Sequence, residues 1–205
     1  MIPVLLRQNS GRAASQQERL QQEECAASDG AGMRRHAGDG QHIRSLVLVL
    51  TTRCQLNCLY CSQGEMLARE DMPPEVVRLA MRMARHGTQP LQIQLTGGEP
   101  ALVPELVQLV LAEAKKLQRP VRMAIQSNGV GLDSAMLRLW KTHGLQVGIS
   151  LDGTPRIQET LRGRASDTLR GLLLLEKEGM PFRVTTVLSN INVQELDRLV
   201  WLLAG

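Results

Sequence analysis

The chain has 205 residues, 43% of them hydrophobic, and a formal net charge of +4. One domain is the natural size expectation, and that apolar content can fill a core. Aromatics are only 2% (Tyr60, Trp140, Phe182 and Trp201), so the core must be aliphatic, and nothing resembles a basic stripe with stacking aromatics for nucleic acid. No apolar run approaches the roughly 18 residues of a membrane span. Residues 2–6 are too short for a secretory signal and lack a charged segment before them. The expected location is the cytoplasm, where thiols stay reduced and clustered cysteines mean metal or catalysis.

Residues 1–42 are dominated by Gln, Glu, Ser, Gly and Ala, with helical periodicity only around 16–24. They read as a mobile polar extension, with residues 43–205 as the folded core. Arg34-Arg35-His36 reads as a solvated patch and Cys25 as an incidental thiol.

From Arg44 onward strands and helices alternate. Residues 46–51 predict a strand, followed by a loop holding Cys54, Cys58 and Cys61. Pro73-Pro74 opens a helix with Val76, Leu79, Ala80 and Met83 expected inward. Residues 91–95 predict a second strand, and Pro104 starts a helix with Leu106, Val107, Val110, Ala114 and Leu117 inward. Residues 121–126 predict a third strand, and Asp133 caps a helix carrying Met136, Leu139 and Trp140. Residues 146–151 predict a fourth strand. Asp167 is the expected cap of a helix ending at Gly179, with Pro181 beyond. Between them Arg162 and Arg164 are expected on a solvated loop, although either could meet a cofactor carboxylate or substrate. Residues 182–188 predict a fifth strand. Asn192 with Glu195 resembles a capping box opening a helix that packs Leu196, Leu199, Val200 and Leu203. Five such units predict an α/β fold with parallel strands and right-handed crossovers.

The strands alternate in polarity. Leu91, Ile93 and Leu95 interleave with Gln92, Gln94 and Thr96, and Ile125 and Ile149 have Gln126 and Ser150 beside them. Strands buried on both faces read instead as continuous apolar runs. One polar face therefore lines a wet lumen. Arg122 and Arg183, at the starts of their strands, are expected to reach solvent at its closed end.

The spacing C-x3-C-x2-C at Cys54, Cys58 and Cys61 gathers three soft ligands in one loop. A four-iron, four-sulfur cluster normally takes four cysteines, so three would leave one iron open. A zinc site completed by His36 or His42 is the bland alternative. Three further motifs follow successive strands: Gly97-Gly98-Glu99-Pro100, Ser127-Asn128-Gly129 and Ser150-Leu151-Asp152-Gly153. With Tyr60 before the third cysteine, this order resembles the radical S-adenosylmethionine (radical SAM) superfamily over roughly residues 44–205. Within it the pattern most resembles the anaerobic sulfatase-maturating and SPASM peptide-maturase branch.

The resemblance implies a partial parallel (β/α) barrel with five of six units present. It implies a 4Fe-4S cluster on Cys54, Cys58 and Cys61, whose open iron binds S-adenosylmethionine. It assigns Gly97, Gly98 and Glu99 to the cofactor's amino group, Ser150 to its carboxylate or ribose, and Tyr60 to the neighbourhood of its adenine. Asn128 is included in the cofactor site, although Asn128 and Asp152 could be only turn formers. No catalytic base is assigned. The implied reaction is reductive cleavage of S-adenosylmethionine and hydrogen-atom abstraction from a peptide or protein side chain, with a flavodoxin or ferredoxin as electron donor. Neither nucleic acid nor a membrane is an expected partner. Alternatives are a radical SAM enzyme of small-molecule cofactor biosynthesis and a non-catalytic metal-binding remnant. Peptide-modifying relatives usually carry auxiliary cysteines and a sixth unit in a C-terminal region without counterpart here, which makes a C-terminally truncated core the expectation.

Overall fold

The computed structural model describes residues 43–61 and 69–204. The expectations for residues 1–42, including Cys25, the Arg34-Arg35-His36 cluster and the zinc alternative's His36 and His42, lie outside the described residues.

Five strands form one sheet in chain order: β1 (Ser45–Val49), β2 (Leu91–Thr96), β3 (Val121–Ser127), β4 (Gln146–Ser150) and β5 (Phe182–Thr185). Every neighbouring pair is parallel. The connections carry α1 (Pro74–Met83), α2 (Pro104–Ala114), α3 (Ser134–Thr142), α4 (Pro155–Leu161) and α5 (Ala165–Lys177), and α6 (Leu196–Ala204) follows β5. This is the expected partial parallel (β/α) barrel with five units.

Side-chain alternation sets the two faces. Leu91, Ile93, Leu95, Ile125, Val147 and Ile149 are buried in the core that the helices cover. Register keeps like beside like: Leu95 pairs with Ile125, Ile125 with Val147 and Ile149 with Val184. Gln94, Gln126 and Ser150 fall on the other face and remain part-exposed. A slip of one residue would exchange the two sets, so burial on one face fixes the register.

Several local expectations are corrected. On α1 the buried stripe is Val77 and Met81, continued by Ala84, while Val76, Leu79 and Met83 are exposed. The helix carries two neighbouring apolar stripes, and periodicity alone cannot choose between them. Asp167 is not the cap of α5. Arg164, in left-handed conformation at φ 51°, occupies the cap position, and Asp167 sits in the first turn, paired with Arg164 and Arg170. Asn192 makes no capping box. It is buried, accepts from Ser189 N at 2.8 Å and donates to Asp152 O at 2.8 Å and Val187 O at 2.9 Å. β5 ends at Thr185, and Leu188 is exposed. On α6 only Leu199 is buried. Leu202 and Leu203 instead line an open groove of about 800 Å³ against Leu169, Leu172 and Leu173. Helix α4 was not expected. Thr154-Pro155 begins it, Pro155 supplying a preset φ at the first turn, and Ile157 and Leu161 anchor it at i, i+4 spacing.

Candidate functional site

The C-terminal strand ends converge on one pocket, the position where α/β folds bind ligands. It is lined by Cys54, Cys58, Cys61, Tyr60, Gly97, Gly98, Asn128 and Ser150, together with Thr96, Gln126, Ser127 and Arg162. Eight of the nine residues expected at the site thus surround one space, and Glu99 lies behind its wall.

The cysteine loop leaves β1 and returns to α1 through a stapled neck. Met72 N donates to Leu50 O at 2.8 Å and Thr52 N to Glu70 O at 2.9 Å. Arg53 grips both oxygens of Asp71, at 2.8 and 2.6 Å, and Thr51 Oγ1 donates to the same carboxylate at 2.6 Å. The far side of the loop is tied to the end of α4, where Leu59 N donates to Leu161 O at 2.9 Å. The thiols of Cys54, Cys58 and Cys61 are free and half-buried. Cys54 Sγ accepts from Leu56 N at 3.4 Å and Asn128 Nδ2 at 3.6 Å. Burial pushes the Cys54 and Cys58 thiols up, and the Arg162 charge partly offsets this at Cys58.

Among the described residues, no three His, Cys, Asp or Glu side chains are gathered tightly enough for one metal ion. In a four-iron cluster each cysteine takes a different iron, and three thiols around one pocket with N–H donors to the Cys54 sulfur fit that donor set.

The glycine motif packs against the root of this loop. Gly97 has φ 147°, and a Cβ there would lie 2.3 Å from Thr51 O; one on Gly98 would lie 2.2 Å from Arg53 O. Gly98 N donates to Thr51 O at 2.7 Å and Glu99 N to Arg53 O at 2.8 Å. The close approach these glycines permit is thus to the chain's own backbone just before Cys54. Glu99 is fully buried. Its carboxyl accepts from Ser127 Oγ at 2.9 Å, Asn128 N at 2.7 Å and Ala101 N at 3.0 Å, joining the ends of β2 and β3. Burial raises its pKa to about 7, against the lowering effect of those three donors.

Asn128 forms a turn and also faces the pocket. Its Oδ1 accepts from Val130 N at 2.8 Å while its Nδ2 reaches Cys54. Ser150 Oγ accepts from Gln126 Nε2 at 2.9 Å.

Asp152 and Arg162 overturn the sequence expectation. Arg162 is not on a solvated loop: its side chain is 10% exposed and pairs with fully buried Asp152, Nε–Oδ2 2.7 Å and Nη2–Oδ1 3.1 Å. Helix α4 carries it there. Asp152 also accepts from Val187 N at 2.9 Å and from the Tyr60 hydroxyl, and its own N–H donates to Gln158 Oε1 at 2.9 Å. The guanidinium lies 5.3 Å from the Tyr60 ring centroid. Burial works against the Arg162 cation, yet its hydrogen bonds and ion pair with Asp152 hold its pKa above the usual value. Burial, then the Asp152 bond, pushes the Tyr60 phenol up. The sequence signal for Arg162 was available in Thr154-Pro155 followed by Ile157 and Leu161.

A family model described as the radical SAM superfamily matches residues 48–203. An uncharacterized protein of Methanocaldococcus jannaschii is 31% identical over 166 residues, covering 77% of this chain and 57% of the relative. A GTP 3',8-cyclase of Streptomyces coelicolor is 37% identical over 175 residues, 79% of this chain and 50% of that enzyme. Among solved structures, native anSMEcpe with bound AdoMet superposes with a TM-score of 0.69 at 20% identity, over 78% of this chain and 48% of that one. Streptococcus suis SuiB bound to S-adenosylmethionine gives 0.62 at 17% identity, over 92% and 42%. The chain spans about half the length of the curated relatives it matches.

Proposed function

The chain belongs to the radical SAM superfamily, and from that premise we propose that it uses a 4Fe-4S cluster to cleave S-adenosylmethionine and abstract a hydrogen atom from a peptide or protein side chain. The observation that carries the cofactor reading is the pocket itself, where three thiols, the glycine motif, Asn128 and Ser150 meet at the strand ends. Cys54, Cys58 and Cys61 would hold the cluster, and Gly97, Gly98, Asn128, Ser150 and Tyr60 would border the cofactor. When bound, the cluster supplies the electron that splits S-adenosylmethionine, and the cleaved cofactor supplies the radical that takes the hydrogen atom.

The chain's own residues hold this arrangement rigid. Glu99, buried behind the wall, ties the Asn128 loop to the end of β2. Asp152 fixes Arg162 and Tyr60 on the pocket's other side. The half-buried thiols limit water at the sulfurs, which is one lever on a cluster's potential. A low-potential donor such as a flavodoxin or ferredoxin would deliver the electron.

The peptide reading is supported by the Ser150-Leu151-Asp152-Gly153 pattern. Chains of the same fold have been solved with peptides, anSMEcpe with the Cp18Cys peptide and SuiB with its precursor SuiA. A second reading, a small-molecule enzyme of cofactor biosynthesis, is favoured by the GTP 3',8-cyclase relatives.

The test is anaerobic incubation of the cluster-loaded protein with S-adenosylmethionine and dithionite. Methionine and 5′-deoxyadenosine should form. No cleavage by a protein with an intact cluster contradicts the proposal. Cofactor cleavage that accelerates with added GTP favours the small-molecule reading over the peptide one.

A further inference from the structure

A serine hydroxyl has one proton to give and two lone pairs to fill, so the partners of Ser150 decide which way it donates. Gln126 Nε2 donates to Ser150 Oγ at 2.9 Å, and Thr185 Oγ1 donates to Gln126 Oε1 at 3.3 Å. The three side chains form a line on the lumen face that crosses from β5 to β3 and back to the end of β4. Register explains how it can. Gln126 pairs with Gly148, and Gly148 with Arg183. A Cβ on Gly148 would lie 2.4 Å from Gln126 Oε1. The Gln126 amide therefore lies across β4 above a residue without a side chain, and only so reaches Thr185. With Oε1 turned to Thr185, the NH2 end faces Ser150. Ser150 then accepts, and its own proton remains to be given into the pocket that it lines with the three thiols.

We propose that Gln126 is a positioning residue that fixes Ser150 as a hydrogen-bond donor toward an acceptor group of the bound cofactor, a carboxylate or ribose oxygen, with Thr185 and Gly148 holding Gln126 in that orientation. The inference rests on the reading of this pocket as the S-adenosylmethionine site. Gln126 lines the same pocket, and its proposed part is played through Ser150, which the Ser150→Ala background separates from any direct contact with the cofactor.

The experiment is a double-mutant cycle read by equilibrium dialysis of S-adenosylmethionine against the cluster-loaded 205-residue chain, with iron content and circular dichroism confirming that each variant is loaded and folded. Gln126→Met keeps the volume and removes both hydrogen bonds, and should raise Kd about tenfold, the scale of one lost hydrogen bond. Gln126→Glu should cost more, since a carboxylate cannot donate and Ser150 must turn its proton inward. Gly148→Ala should weaken binding in the same direction without removing any polar group, and should cost nothing further beside Gln126→Ala. In a Ser150→Ala background, Gln126→Met should have no additional effect. Equal losses with and without Ser150, or an unchanged Kd, overturn the inference while leaving the cofactor reading intact. If Gln126→Met loses its cluster, Thr185→Val in the same cycle decides the matter, with a smaller loss expected only when Ser150 is present. Wild-type protein that binds no S-adenosylmethionine overturns the cofactor reading and this inference with it.

Discussion

The cofactor end of the sheet and the flank formed by α5 and α6 are built on opposite principles. At the strand ends, polar groups are buried and satisfied: Asp152, Glu99, Ser127, Asn128 and Asn192 are all below a tenth exposed and hydrogen-bonded. At the flank, apolar groups are left out: Trp201 is 75% exposed and Val200 64%, beside a groove lined by leucines. A buried polar network has low tolerance for change because each member satisfies another. An exposed apolar face contributes little to the stability of the chain that carries it. The first region is therefore where geometry is held, and the second is where substitutions are tolerated.

The largest effect expected from breaking that contrast is at Asp152. Asp152→Ala leaves Arg162 nearly buried without its partner and should cost about 3–5 kcal/mol in urea unfolding. Asp71→Ala breaks a pair with similar bond lengths, but at side chains 38% and 44% exposed, and should cost about 1 kcal/mol or less. Equal costs would mean that burial does not distinguish the two.

Glu99 gives a pH test of the same region. Its pKa is raised by burial to about 7, above the ordinary 4.5 of the unfolded chain. The folded state then holds a proton that the unfolded state releases. The stabilising contribution is full below the unfolded value and is lost as pH rises through the folded one. The unfolding free energy from urea titration should fall between about pH 5 and 7, by about 1.4 kcal/mol per pH unit at most. Glu99→Gln should flatten that slope. A wild-type slope that survives in the variant would assign the titration elsewhere.

The smallest effect should be at the flank. Trp201→Ala should change stability by no more than about 0.5 kcal/mol, the range of surface substitutions. A loss of several kcal/mol would show Trp201 packed in solution. Self-association or dye binding by the wild type that falls in the variant would sharpen the picture of an open face.

Sheet and site differed in how openly the sequence displayed them. Strand polarity was readable because a period of two assigns Ile93, Ile125 and Ile149 to one face and Gln94, Gln126 and Ser150 to the other, as the structure has them. The pocket wall was readable because its motifs sit at strand ends. The choice of Val77 and Met81 over Val76 and Leu79 was not, since both stripes are apolar and only packing decides. Asp152 and Asn192 looked like turn and cap residues because local chemistry favours those uses. Their actual partners are 10 to 40 residues away, Arg162 and the Asp152 carbonyl, and such pairings have no local signature. Glu99 carried a motif signal, but its burial became visible only with Ser127 and Asn128 folded around it.

Metal content of the anaerobically reconstituted chain tests the central claim most directly. The account predicts about four irons and four sulfides per chain, with iron–sulfur absorption. That absorption should be lost in Cys54→Ala, Cys58→Ala and Cys61→Ala, and retained in Cys25→Ala. Tightly bound zinc without iron–sulfur absorption, or a cluster that survives loss of any of the three pocket cysteines, would contradict it.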